Sequence, residues 1–268
     1  MKNILLLNDF TPEAEHAISY ATMLATALNA RVLVWNVSHQ AAKTAVKREL
    51  IYVLKNGQQQ VVRPTEQEAL NNLADHPLIS VLDDKDTINR TVHEIACNNN
   101  IQLVIKGVKS IEDKIEQHAL KVVTKSCCPL LLVPKQAPLN LFKQIAYLAD
   151  LRYCRNNINS YLKEVAHEVN ANLSIAHISV ASIPEPEVNY AMDLYKKAIG
   201  PNPNNISLSF NQIKERNVRK AADVLIHVMK NDLLVMTYNK YHFSMLTSKD
   251  PLLNEAHDLN VPLMVFPS

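Results

Sequence analysis

The chain has 268 residues, 47% of them hydrophobic and 20% charged, with a formal net charge of +2. That is length and apolar content enough for two modest domains or one large one, and it excludes a disordered chain. So small a charge argues against nucleic acid or an anionic membrane as partner. The basic clusters Lys43/Lys47/Arg48, Lys196/Lys197 and Arg216/Arg219/Lys220 each fall in a helical pattern and read as solvated faces. No apolar run approaches the roughly 20 residues that a membrane span needs. Glycine is scarce, with three residues at 57, 107 and 200, and GxGxxG, GxxxxGK[ST] and GxSxG are all absent. Phosphate cradles and nucleophile elbows need several close glycines, so the enzyme classes built on them are excluded.

In chain order, MKNILLLNDF opens as a strand near 3–8 rather than as a secretion signal. Thr11, Pro12 and Glu13 then start a helix: a hydroxyl cap, proline in the first turn and an acid near the positive end of the dipole. Its apolar stripe is Ala17, Ile18, Ala21, Leu24, Ala25 and Leu28, the spacing of one buried face. Further strands are expected near 32–37, 78–83, 102–106 and 130–133. Between the second and third, IYVLKNGQQQVV (51–62) carries Asn56-Gly57 between β-prone runs, a hairpin signal. After the fourth strand, KGVKSIEDKIEQHALKVV (106–123) has a lone Gly107 at a strand-to-helix turn, followed by Glu112, Asp113 and Glu116. Carboxylates there repel a phosphate unless a metal intervenes.

The second half repeats the first. Residues 1–38 align without gaps on 142–179, pairing Leu7 with Leu148, Asp9 with Asp150, Asn29 with Asn170 and Ala30 with Ala171. NNIQLVIKG (99–107) resembles KNDLLVMTY (230–238), and CPLLLVP (128–134) resembles VPLMVFP (261–267). The second helix has its own stripe of Ile158, Tyr161, Leu162, Val165, Ala166 and Val169. It carries Arg152 where the first has Thr11, which leaves Asp150 as its expected cap. Strands are expected near 144–149, 173–178, 206–210, 232–236 and 262–266. Duplication at this spacing means two domains, 1–138 and 139–268, joined through PKQAPLN. Short apolar strands alternating with amphipathic helices imply, in each, a doubly wound α/β domain with a parallel sheet covered by helices on both faces.

The strand–Asp–capped helix–Asn-Ala–strand opening, the LSIAHISV strand of the second copy and the CPLLLVP ending resemble universal stress protein domains. The resemblance covers nearly the whole chain as two tandem domains, and is vague at 39–77 and 180–205. It implies a five-stranded parallel, Rossmann-like sheet of the adenine nucleotide alpha hydrolase type, with the first strand central and last strands that often pair between domains. In nucleotide-binding members an acid ending strand one lies near the adenosine, which implies Asp9 or Asp150 here. Phosphates are held by G-x2-G-x9-G-[ST] after strand four. On this chain the first two glycine positions fall on Gly107 and Ser110. The last pair falls on Leu120-Lys121, or on Glu116-Gln117 when counted back from Cys128-Pro129. In the second copy the positions fall on Thr237, Lys240 and, near the end, Thr247-Ser248. Neither copy keeps the apparatus.

The candidate ligand cleft is therefore Asp9, Val37, Gly107 and Ser110 in the first copy, and Asp150, Thr237 and Ser248 in the second. Each aspartate reads equally as a helix cap, Gly107 as a helix-entry turn, Lys106 and Lys109 as exposed lysines at a loop mouth, and Lys240, Tyr241 and His242 as a polar loop tip. His177 reads as a satisfied core imidazole. His93 and Cys97 stand at i, i+4, but two ligands do not make a metal site, and a surface histidine above a half-buried cysteine is the simpler reading. Cys97, Cys127, Cys128 and Cys154 form no CxxC and fit the reduced thiols of a cytoplasmic protein. A phospho-acceptor receiver is a minor alternative, since Asp83/Asp84 follow strand three; such a domain needs an acidic pair after strand one, where this chain has Asn8-Asp9. The expected protein is a non-catalytic, cytoplasmic stress-response protein. It acts through a protein partner as a two-domain pseudo-dimer or a homodimer, with no cofactor, no metal, no nucleic acid and no membrane. The alternative is an ATP- or ADP-binding protein with non-family phosphate contacts and slow hydrolysis.

Overall fold

The computed structural model describes residues 2–37, 50–53, 59–62, 79–82, 91–111, 123–125, 128–150, 155–178, 187–200, 206–213, 217–247 and 259–267. The chain forms two compact units, the first of Met1–Lys109, Ile115–Leu141 and Pro267, the second of Ser110–Lys114, Phe142–Phe266 and Ser268.

The first unit contains β1 (Lys2–Asn8), α1 (Pro12–Ala27), β2 (Ala30–Asn36), β3 (Leu50–Val53), β4 (Gln59–Val62), β5 (Ile79–Val81), α2 (Val92–Asn98), β6 (Ile101–Val108) and β7 (Leu130–Pro134). Its main sheet runs β5-β2-β1-β6-β7 and is parallel throughout. Ile4, Leu5, Leu6 and Leu7 are all buried in succession, as a parallel strand covered on both faces requires. The expected hairpin is present as an antiparallel ladder pairing Leu50 with Val62 and Val53 with Gln59; its Asn56-Gly57 turn lies outside the described residues.

The second unit contains β8 (Gln144–Ala149), α3 (Asn156–Glu168), β9 (Asn172–Ile178), α4 (Val188–Ile199), β10 (Leu208–Ile213), α5 (Val218–Asp223), β11 (Leu233–Thr237), α6 (Lys240–Thr247) and β12 (Leu263–Phe266). Between α5 and β11 lies one π turn, Val224–Val228. This sheet runs β10-β9-β8-β11-β12, again parallel. Each unit thus has the order third, second, first, fourth, fifth strand. Right-handed crossovers place the helices before and after the reversal on opposite faces. In the second unit α3 packs on α4, and α5 packs on α6. Both units are α/β sheets of the doubly wound, Rossmann-like kind. In such sheets ligands bind outside the carboxyl ends of the strands, where the order reverses. That point lies between β1 and β6 in the first unit and between β8 and β11 in the second.

Two local devices set these ends. Where α1, α2 and α3 turn back into a strand, Asn29, Asn100 and Asn170 hold φ of 49°, 49° and 54°. Asparagine tolerates this left-handed conformation better than other residues with a side chain, which gives the repeated Asn-Ala its physical meaning. The second device is a close approach. Ala14, Ala17, Ala21 and Ala25 of α1 are fully buried, so the helix lies tight on the sheet. At its first turn the helix meets Gly107. A Cβ there would press into the Glu13 carbonyl and stand 2.9 Å from the Ala14 nitrogen.

Gly107 is therefore a residue of β6, which continues to Val108 rather than ending at 106, and not the turn expected from the sequence. The cap expected of Asp150 is also absent. Helix α3 starts at Asn156, and its N-cap Arg155 makes no side-chain bond to the helix. Pro12, the first residue of α1, aligns with Tyr153, so α3 begins later than its counterpart. Thr237 pairs with Phe266 as Gly107 pairs with Val133, so it stands where the first unit has Gly107, a place where the first unit admits no side chain.

Replacing Gly107 with alanine should destabilise the first unit by about 1–3 kcal/mol, the usual cost of overpacking. Urea denaturation checks this, and the loss should grow with Gly107→Val.

Candidate functional site

At the carboxyl end of the first sheet, Asp9 follows β1 and meets Lys106 of the adjacent strand β6. The Lys106 ammonium pairs with Asp9 Oδ2, and both side chains are largely withdrawn from water, at 5% and 14% exposure. The other oxygen, Oδ1, accepts from the Thr11 hydroxyl (2.6 Å) and from the Thr11 backbone N–H (3.2 Å). Thr11 in turn caps α1, its Oγ1 accepting from the Ala14 N–H at 3.2 Å. Beside them the Asn8 amide donates to Asn36 Oδ1 (2.8 Å) and accepts from the Phe10 N–H (3.1 Å). This bond holds the turn in which Phe10 takes φ of 62°. The Val37 N–H donates to the Asn8 carbonyl at 2.9 Å. Burial by itself would raise the Asp9 pKa. Hydrogen bonds from Lys106 and Thr11, with the lysine charge, outweigh burial and hold it below the ordinary carboxylate value.

Of the candidates in this unit, Asp9 and Val37 come together, but the carboxylate is engaged by the protein's own lysine. Gly107 is covered by α1. Ser110, half-buried, follows β6, while Glu112, Asp113 and Glu116 lie outside the described residues. Lys106 corrects the reading of an exposed lysine, since it is 4% exposed and lies inside a strand. The signal was available: a lysine within the apolar run LVIKG needs a partner once buried, and the acid ending the neighbouring strand supplies it. The Asp9 reading as a helix cap is refined too, because Thr11 caps the helix and Asp9 orients Thr11.

The second unit fills the same place differently. Asp150 follows β8, with its side chain 8% exposed. Its Oδ1 lies 4.0 Å from Nδ1 of His177, which is 1% exposed near the end of β9. His242 is half-buried in the first turn of α6 rather than in a polar loop tip. Burial lowers its pKa, and the Asp150 charge opposes that in part. Thr237, at the register position of Gly107, shares a hydrogen bond of 3.0 Å with the Tyr147 hydroxyl. Ser248, Asp83 and Asp84 lie outside the described residues. Sequence reasoning missed Tyr147 and the approach of His177 to Asp150. The α6 start is signalled only by Asn239, whose Oδ1 accepts from the N–H groups of Tyr241 (3.0 Å) and His242 (3.1 Å).

His93 and Cys97 do share a face of α2, Sγ lying 3.8 Å from Nε2, and both are exposed rather than the cysteine being half-buried. Among the described residues no group of three metal-binding side chains forms, and no helix is long and apolar enough to cross a membrane. Cys128 is buried; Cys127 and Cys154 lie outside the described residues.

The universal stress protein family model matches residues 1–134, half of the chain. The chain belongs to the universal stress protein family. A universal stress protein from Archaeoglobus fulgidus DSM 4304 shares the fold with a TM-score of 0.62 at 14% identity, over 99% of this chain and 98% of that one. A putative universal stress protein from Pseudomonas aeruginosa UCBPP-PA14 gives 0.53 at 13% identity, over 100% and 93%. A functionally unknown protein from Pseudomonas aeruginosa PAO1 gives 0.53 at 11%, over 100% and 92%. At such identities the likeness is one of fold. No curated protein matches the sequence.

Replacing Lys106 with methionine leaves a buried carboxylate without its counter-charge and should cost about 3–5 kcal/mol in urea melts. The double change Asp9→Asn/Lys106→Met should cost less than the sum of the two single changes. Because folding lowers the Asp9 pKa, its contribution is complete above about pH 4 and is lost as pH falls below that. The stability gap between wild type and Asp9→Asn should therefore narrow on acidification.

Proposed function

We propose that this universal stress protein is a non-catalytic, cytoplasmic regulator that acts by binding a protein partner or a second copy of itself, without the phosphate loop of its nucleotide-binding relatives. Its two units are read as tandem stress-protein domains. The observation that carries the proposal is the Lys106–Asp9 pair at the first switch point. The acid that the family resemblance assigns to adenosine is neutralised internally by a lysine from the next strand. Releasing it would strand two charges in a poorly hydrated place. The single glycine of that region is taken up by helix packing, so its surroundings do not approach a phosphate as a cradle of several glycines does. In the second unit the positions equivalent to Lys106 and Gly107 are Met236 and Thr237, again without glycine.

A second reading, ATP or ADP binding with slow hydrolysis, draws its support from the second unit, where Asp150 lies beside His177 and the Thr237–Tyr147 pair stands at neighbouring strands. The two readings separate in a thermal melt with millimolar ATP or ADP and Mg²⁺. Ligand at 100 times its dissociation constant adds about 2.7 kcal/mol to stability. The regulatory reading expects no shift. A clear rise in melting temperature that disappears in Asp150→Ala would replace it with the nucleotide reading.

A further inference from the structure

Helix α2 has two distinct sides. Val92, Ile95 and Ala96 are buried, and the helix packs against β6. His93 and Cys97, one turn apart, are both exposed. The Cys97 sulfur lies 3.8 Å from Nε2 and 4.0 Å from Nδ1 of His93. The imidazole therefore rests against the sulfur and can take its proton, a placement that a solitary surface cysteine lacks. Glu94, the acid of this helix, is committed to the capping box, its Oε2 accepting from the Thr91 N–H (2.7 Å) and hydroxyl (3.1 Å). The one charged residue of β6 is Lys106, and it is paired with Asp9.

We propose that Cys97 and His93 form a site of reversible thiol modification, in which His93 accepts the thiol proton and a small disulfide from solution supplies the second sulfur.

The thiolate, not the thiol, is the nucleophile, and an ordinary thiol ionises only near pH 8.5. A neighbouring imidazole that takes the proton and stays beside the anion as imidazolium supplies thiolate at neutral pH. The thiolate then attacks one sulfur of the small disulfide. A new bond to Sγ forms as the reagent's own S–S bond breaks, and the departing half leaves as a thiolate that collects the proton from His93. Cys97 is oxidised and the small disulfide is reduced, so no further reactant is needed. An excess of small thiol runs the same step backwards.

The surroundings set how much this depends on His93. Cys97 stands in the last turn of α2, where the helix dipole by itself disfavours an anion. Part of that effect is relieved, because the Ile95 carbonyl accepts from the Asn99 N–H and Nδ2 (3.1 and 2.9 Å) and the Cys97 carbonyl from the Asn100 N–H (3.4 Å). The imidazolium supplies the rest. A group added to Cys97 extends into solvent and leaves the buried side of α2 in place, so it acts as a removable mark rather than as damage. Cys128, the other described cysteine, is buried and shielded from such a reagent. The inference stands on α2 alone and does not depend on partner or nucleotide binding.

Incubation of the full chain with glutathione disulfide, followed by tryptic digestion without reductant and mass spectrometry, tests it. Cleavage after Arg90 and Lys106 gives the peptide 91–106, in which Cys97 is the only cysteine. At about pH 7 this peptide should gain one glutathione, and excess reduced glutathione should remove it. His93→Gln should slow the gain several-fold at about pH 7 and leave it nearly unchanged at about pH 9.5, where a thiol ionises without help. An unmodified 91–106 peptide at neutral pH would overturn the proposal. Equal rates for wild type and His93→Gln at neutral pH would overturn it too, marking an accessible cysteine and nothing more. So would a His93→Gln rate depressed equally at both pH values, which marks lost access rather than a lost base.

Discussion

A carboxylate at the end of the central strand of a doubly wound sheet has to be satisfied where water reaches it poorly. In the first unit one interaction meets that constraint, the pairing of Asp9 with Lys106, and the neighbouring geometry follows from it. The lysine takes one carboxylate oxygen and Thr11 takes the other. With its hydroxyl hydrogen committed to Asp9, Thr11 presents a lone pair to the Ala14 N–H and so starts α1. The helix starts early enough for its first turn to reach β6, and Gly107 makes room for it. The ion pair, the cap and the glycine contact thus join β1, α1 and β6 at the point where a ligand would otherwise enter.

The second unit keeps the strand order but satisfies the aligned acid by other means. By strand register the Lys106 position holds buried Met236, and the Gly107 position holds Thr237, which is turned to Tyr147. With no glycine on the fourth strand and no threonine at the cap position, α3 begins only at Asn156 and lacks a side-chain cap. The acid lies 4.0 Å from a buried histidine, His177, instead of beside a lysine. A lysine charge is fixed across the neutral range, while an imidazole charge is not. The two copies therefore differ less in strand order than in what stands beside their central acid.

Much of this architecture is legible in the sequence because it rests on periodicity. The α1 stripe from Ala17 to Leu28, the run from Ile4 to Leu7 and the repeated Asn-Ala each report local backbone geometry, and each is found with that geometry. What could not be read depends on distance across the fold. Gly107 reads as a turn because glycine ordinarily marks one, whereas its reason is a helix turn more than ninety residues earlier in the chain. Lys106 reads as exposed because the apolar run stops just before it, and two more strand residues place it indoors. His242 reads as loop because the helix it opens is short and weakly patterned. Ser248 and the acidic stretch after Ser110 lie outside the described residues, so their role in the site rests on sequence alone.

The scarcity of glycine, first a statement about missing motifs, also says how this fold economises. Left-handed corners between helix and strand invite glycine, yet Asn29, Asn100, Asn170 and Lys230 occupy them at positive φ. Gly200 ends α4 at φ of 60°, and Gly57 lies outside the described residues. Gly107 is the one described position where nothing larger than hydrogen fits for lack of space rather than for backbone angle. A phosphate cradle needs glycine for both reasons at once, in several neighbouring residues. Here the remaining glycine near the first switch point is spent on helix packing, and the acid beside it on a lysine.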